Sequence, residues 1–200
     1  METRPEVASV TAYSAASRIV AEAGGQMTSP ALAKELRINE ARAELLPEST
    51  IIIEYLARYF PGRTALLPTD PDVARRTRLL DRFYDCYVME PMQKIVGDRL
   101  RAPGQKDAFG VAQAKAALLT SYGVIEKDIG SKSWALAEGF TMADCSAAPA
   151  LFYVDKIMPL AKSHKGVAAY LDRLMKRPSY ARVLKEAEPY FKLFPKEEAA

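Results

Sequence analysis

Leu46-Pro-Glu-Ser-Thr-Ile-Ile-Ile-Glu-Tyr-Leu-Ala-Arg-Tyr-Phe60, followed by Pro61-Gly62-Arg63, is the stretch on which the fold assignment turns. It reads as a helix with defined ends. A side-chain oxygen of Ser49 or Thr50 can accept a free backbone N–H of the first turn and so cap it. Ile52, Ile53, Leu56 and Phe60 recur close to helical spacing and give one apolar face. Pro61 disfavours helix in the residue before it, and Gly62 tolerates the turn that follows. Ile51–Ile53 alone would suit a strand; the caps and the longer periodicity favour a helix. A helix start carrying Glu48-Ser49 also offers chemistry. Its free N–H groups and the positive end of its dipole favour a bound carboxylate. Ser49 adds a hydroxyl donor, and Glu48 adds an anion that can hold an ammonium. Together they suit a free amino-acid head group, although a plain capped surface helix uses the same residues.

Downstream, the pattern is helical throughout. Pro61, Gly62, Pro68 and Asp70 mark a linker. A long helix then starts with Asp70 as N-cap and Pro71 in the first turn. Val73, Thr77, Leu80, Tyr84, Tyr87, Pro91 and Ile95 form its inward stripe, with Arg75, Arg76, Arg78, Asp81, Arg82 and Asp85 largely off it. Pro91 removes an internal N–H and predicts a kink. A second long helix runs from about Asp107 to Gly130, with Val111, Ala114, Leu118, Tyr122, Ile125 and Ile129 inward. Short loops between long amphipathic helices imply a bundle. Thr141 then caps a helix with Asp144 three residues on, a capping box with aspartate in place of glutamate. From Met142 to Val154 the only charge is Asp144, which predicts burial on nearly all sides. Two shorter helices follow: His164 to Lys176, with Val167, Tyr170, Leu171 and Leu174 inward, and one after Pro178. The aromatic tail of Tyr190, Phe191, Leu193 and Phe194 should pack back onto the body.

Upstream, Ser14 to Ala23 reads as a short helix ended by Gly24-Gly25, and Ala31 to Leu36 as a second, with Ser29 as cap. Leu36–Ile38 and Ala43–Leu46 suit either a small hairpin or continued helix. No firm strand stands out.

Composition narrows the function classes. The chain has 200 residues, 49% of them hydrophobic and 26% charged, enough for a sizeable core in one or two domains. The net charge of +3 comes from scattered basic residues, short of the clustering that a nucleic-acid surface needs. No apolar run approaches the ~18 residues of a membrane span. The first residues, Met1 to Glu6, show no secretory leader pattern. Cys86 and Cys145 form no disulfide framework or zinc spacing and suit a reducing cytoplasm; no metal is expected. The single histidine, His164, reads as an exposed helix start.

Leu46-Pro-Glu-Ser-Thr-Ile-Ile-Ile-Glu-Tyr-Leu56 resembles the glutamate–serine segment of cytosolic glutathione transferases. Leu66-Leu67-Pro68-Thr69-Asp70-Pro71 is similar to that family's interdomain linker, and Phe140-Thr-Met-Ala-Asp-Cys145 to its capping-box helix start. Ala169 to Pro178 continues the likeness in the same order. The resemblance implies a mainly α chain: a thioredoxin-like α/β domain over 1–63, then an all-α bundle over 64–200. The first domain is expected to be incomplete. A βαβ unit alone takes about 30 residues, and only 48 residues precede Ser49.

The resemblance further implies glutathione as co-substrate, its γ-glutamyl end held by Glu48 and Ser49. Pro30 is the nearest counterpart of the family's glutathione-facing proline, with Ser29 in place of the family's valine. The implied reaction is attack of the glutathione sulfur on a small electrophile, in a homodimeric, cytoplasmic enzyme. A free thiol has a pKa near 8.5, so the protein must favour the thiolate with a donor at a helix N-terminus. Ser14, at the head of the first expected helix, is the first candidate donor and Tyr13 the second. Tyr84, Tyr87 and Met92 are candidates to line the electrophile pocket, although an aromatic stripe at helical spacing also suits plain core. A non-catalytic glutathione-binding member, or a helical interaction module, is the alternative.

Overall fold

The computed structural model describes residues 53–54, 57–59, 65–136 and 139–197. The chain divides into two units between Ala74 and Arg75. In the first, residues 53, 54 and 57–59 are helical, with Ile53 buried and Ala57, Arg58 and Tyr59 exposed. The elements expected over residues 1–45, and the thioredoxin-like domain built from them, lie outside the described residues.

The described remainder is a helical bundle. Helix α1, Pro71–Tyr84, begins where the Asp70 carboxylate accepts the N–H groups of Asp72 (3.0 Å) and Val73 (2.9 Å). Proline at the first helical position loses no intrahelical bond. The helix then widens into a π turn over Asp85–Met89 and resumes as α2, Glu90–Arg99. Pro91 is the cause. It has no N–H to donate, and its ring crowds the carbonyl four residues back, that of Tyr87. Just before it, the Glu90 N–H reaches Asp85 O, a five-residue step. Tyr87 O is satisfied from outside the helix, by the Ser121 hydroxyl at 2.8 Å. That hydroxyl also lies 3.0 Å from Ala117 O, so its proton is shared.

The π turn corrects the expected stripe. Thr77, Tyr84 and Ile95 are buried, but beyond Tyr84 the inward positions are Val88 and Met92, while Tyr87 points outward. One extra residue in the turn shifts the register by one. Asp81 was expected on the outer face; it is buried, and it accepts a hydrogen bond from Ser146. The Ser121 contact gives a first prediction. An exposed helical serine replaced by alanine is stabilising by a few tenths of a kcal/mol. Ser121→Ala instead strands a carbonyl and is expected to cost about 1–2 kcal/mol, measured as a lower urea midpoint.

Helix α3, Ala108–Ile129, packs along α2 and the π turn. Asp107 caps it by accepting the Gly110 N–H at 2.8 Å. Its buried face carries Ala114, Leu118, Tyr122, Ile125 and Ile129, the residues that the sequence periodicity assigns, with Val111 half-buried. Helix α4, Met142–Ile157, is the central element and packs against the π turn, α2 and α5. Met142, Ala147, Leu151 and Val154 are inaccessible to solvent there. Helices α5, Lys165–Lys176, and α6, Pro178–Ala187, close the bundle. Val167, Tyr170, Leu171 and Leu174 of α5 face the core. In the tail, Phe191 meets Phe152 at 5.4 Å between ring centres, and Phe194 stacks on Tyr153 at 5.6 Å. Tyr190 and Leu193 stay exposed, so only half of the aromatic tail packs back.

Candidate functional site

The Asp144 carboxylate, in the first turn of α4, is fully buried. Such a group persists only when its oxygens are hydrogen-bonded. Oδ2 accepts the Thr141 N–H at 2.8 Å and lies 3.2 Å from the Thr141 hydroxyl, within a capping box. Oδ1 accepts the Ala135 N–H at 2.8 Å and the Tyr170 hydroxyl at 2.6 Å. Burial pushes the carboxyl above its usual range, and the bonds from Ala135, Tyr170 and Thr141 hold it down against that.

The Tyr170 hydroxyl gives its proton to Asp144, and the buried Tyr84 phenol of α1 interacts electrostatically with both. Burial raises both phenols well above the ordinary tyrosine value, and both stay protonated. The Tyr170–Asp144 bond ties α5 to the start of α4.

The three candidate pocket residues do not converge. Tyr84 is 3% exposed and Met92 5%, both within the bundle core. Tyr87 is 60% exposed and stacks on Phe83, 5.5 Å between centres. Because of the π turn, Tyr84 and Tyr87 sit on different faces. Ser14, Tyr13, Pro30, Glu48 and Ser49 lie outside the described residues. Cys145 is half-buried, and burial pushes its thiol up, which disfavours the reactive thiolate. Cys86 is half-buried, its Sγ 3.5 Å from Arg82 Nη2. His164 stands at the N-terminus of α5 and meets the Tyr122 ring edge-on at 5.4 Å. Among the described residues no three His, Cys, Asp or Glu side chains gather as a metal site. No described helix is long and apolar enough to cross a membrane.

Sequence reasoning missed Tyr170 as a polar partner, because tyrosine at a core-facing position reads as apolar. It also missed Ser146 and Ser121, whose partners lie far away in the chain.

Residues 108–173 match the family model described as glutathione S-transferase, C-terminal domain. A glutathione S-transferase-like protein LUC7 of Fusarium sp is 32% identical over 110 residues, which is 54% of this chain and 49% of that protein. The chain thus spans about half the length of that curated relative. Among solved structures, a glutathione S-transferase of Methylobacterium radiotolerans in complex with glutathione sulfonate is similar, with a TM-score of 0.65 and 21% identity. That likeness covers 94% of this chain and 92% of the other. A glutathione S-transferase of Methylobacillus flagellatus with glutathione bound has a TM-score of 0.67 and 19% identity, over 86% and 94% of the two chains. Poplar glutathione transferase F1 has a TM-score of 0.68 and 19% identity, over 90% and 94%. At these identities the structural likeness speaks for the fold.

Proposed function

We propose that this chain, whose residues 108–173 match the C-terminal domain of glutathione S-transferases, is a member of that family and transfers the glutathione thiol to a small electrophile. The observation that carries this reading is the family match over 108–173, supported by relatives solved with glutathione or glutathione sulfonate bound. The proposal assigns residues 1–63 to a thioredoxin-like domain and 64–200 to the helical one. Glu48 and Ser49 hold the γ-glutamyl end of glutathione, with Pro30 beside the peptide. Ser14 donates to the sulfur and favours the thiolate, with Tyr13 as second choice. Of the electrophile-side candidates Tyr84, Tyr87 and Met92, only Tyr87 has an accessible ring. The enzyme acts as a homodimer in the cytoplasm.

The test is a glutathione titration of the purified chain, followed by a conjugation assay with a general electrophile. Turnover supports the transferase. Binding without turnover assigns the chain to the non-catalytic members, and neither one, with helicity intact, overturns both. Ser49→Ala is expected to weaken glutathione binding about tenfold, the scale of one hydrogen bond to a charged group. Its thermal midpoint should hardly move. An unchanged affinity removes Ser49 from the site.

A further inference from the structure

At one end of the α2–α3 pair lies a cleft of about 160 Å³, lined by Ile95 and Val111 and by Asp98, Arg99, Lys106, Lys115 and Glu197. None of the residues assigned to glutathione or electrophile lines it. Its charges are unevenly committed. Asp98 Oδ1 accepts the Asp107 N–H at 2.7 Å and lies 3.8 Å from Arg101 Nε. Lys106 donates to the Arg99 carbonyl at 3.0 Å. Arg99 donates from Nη1 to the Pro195 carbonyl at 2.9 Å, which straps the C-terminal segment across α2. Its Nη2 stands 3.5 Å from Glu197, whose side chain is 73% exposed. Lys115 has no partner among the described residues. The lining therefore carries three cations against two carboxylates, one of them loosely held.

We propose that this cleft binds a small ring-bearing carboxylate, with Glu197 of the strap as its internal competitor. The ring rests on Ile95 and Val111, and the carboxylate meets Lys115 and Lys106. The size is suitable: apolar cavities of about 150 Å³ take up benzene. The sign is suitable too, because a monoanion neutralises the excess charge of the lining. Glu197 yields readily, since its own side chain is largely in solvent and it meets Arg99 only at 3.5 Å. A bare inorganic anion would leave the apolar side of the cleft unused. This assignment does not depend on transferase activity.

The test uses the full chain, isotope-labelled and titrated with benzoate at low ionic strength, with inorganic phosphate as the ringless control. The amides of Ile95, Asp98 and Val111 should shift together and saturate, and phosphate should bind more weakly. Lys115→Ala is expected to weaken benzoate binding about fivefold, the scale of one favourable exposed ion pair. Glu197→Gln should tighten it by a similar factor. Both side chains are exposed, so each variant should keep the wild-type thermal midpoint. Shifts that fail to saturate overturn the proposal. So does phosphate binding as well as benzoate, Lys115→Ala binding unchanged, or Glu197→Gln binding no tighter.

Discussion

Asp144→Ala is expected to destabilise the helical unit by about 3–5 kcal/mol. The carboxylate is fully buried and receives bonds from Thr141 N, the Thr141 hydroxyl, Ala135 N and the Tyr170 hydroxyl. Alanine removes every acceptor at once and leaves buried donors, each worth about 1–3 kcal/mol when stranded. The full sum is not reached, because water and small shifts recover part of it. The cost far exceeds the ~0.5–2 kcal/mol of an ordinary N-cap. Two milder variants keep the argument testable if the alanine form does not fold. Asp144→Asn retains one acceptor oxygen but turns an amide N–H₂ toward two donors, and should lose about half as much. Tyr170→Phe removes one of the donors to Asp144, costing about 1–2 kcal/mol. Urea denaturation followed by far-UV circular dichroism measures all three. A loss below about 1 kcal/mol for Asp144→Ala would mean that water replaces the carboxylate freely, and Asp144 would then be no more than a local cap.

How far the sequence reveals this fold depends on the range of each contact. A capping box is local: Thr141 and Asp144 stand three residues apart, and the pairing observed there is written in four consecutive positions. The buried faces of α3 and α5 were equally legible, because a regular helix repeats its inward positions at constant spacing. The same constancy misled across Asp85–Met89. Pro91 announced a disturbance, but whether the chain kinks or widens depends on Ser121, 34 residues away along the chain, reaching the freed carbonyl. A constant period therefore turned Tyr87 inward when it is exposed. Asp81 was misplaced for a related reason. Charge predicts exposure unless a partner is known, and Ser146 lies 65 residues away. The glutathione candidates rest on local signals of the opposite kind. Glu48-Ser49 reads in the sequence as a helix start, while the groups proposed to face it come from elsewhere in the chain and leave no trace in the residues beside it.

Glu126→Ala should be the second most damaging of these changes, at about 2–3 kcal/mol. Helix α5 begins at Lys165 with His164 as N-cap, and the His164 side chain makes no capping bond. Its first-turn N–H groups are served from α3 instead. Glu126 Oε1 accepts the Gly166 N–H at 2.9 Å, and Oε2 accepts the Val167 N–H at 2.8 Å. Two charge-assisted bonds and a carboxylate at the positive end of the helix dipole act together. Glu126→Gln keeps one acceptor and loses the charge, so it should fall about midway. Gly166 supplies the decisive control. A Cβ there would stand 3.0 Å from both Glu126 oxygens, closer than such atoms comfortably approach. In the wild-type background Gly166→Ala should therefore gain nothing, because displacing the carboxylate offsets the better helix propensity. Once Glu126 is alanine the obstruction is gone, and the same substitution should stabilise by about 0.5–1 kcal/mol. The two changes are thus expected to be non-additive in a double-mutant cycle read by urea midpoints. Additivity within about 0.3 kcal/mol would mean that Glu126 does not seat on the α5 terminus in solution. The α3–α5 contact would then rest on its apolar side chains alone.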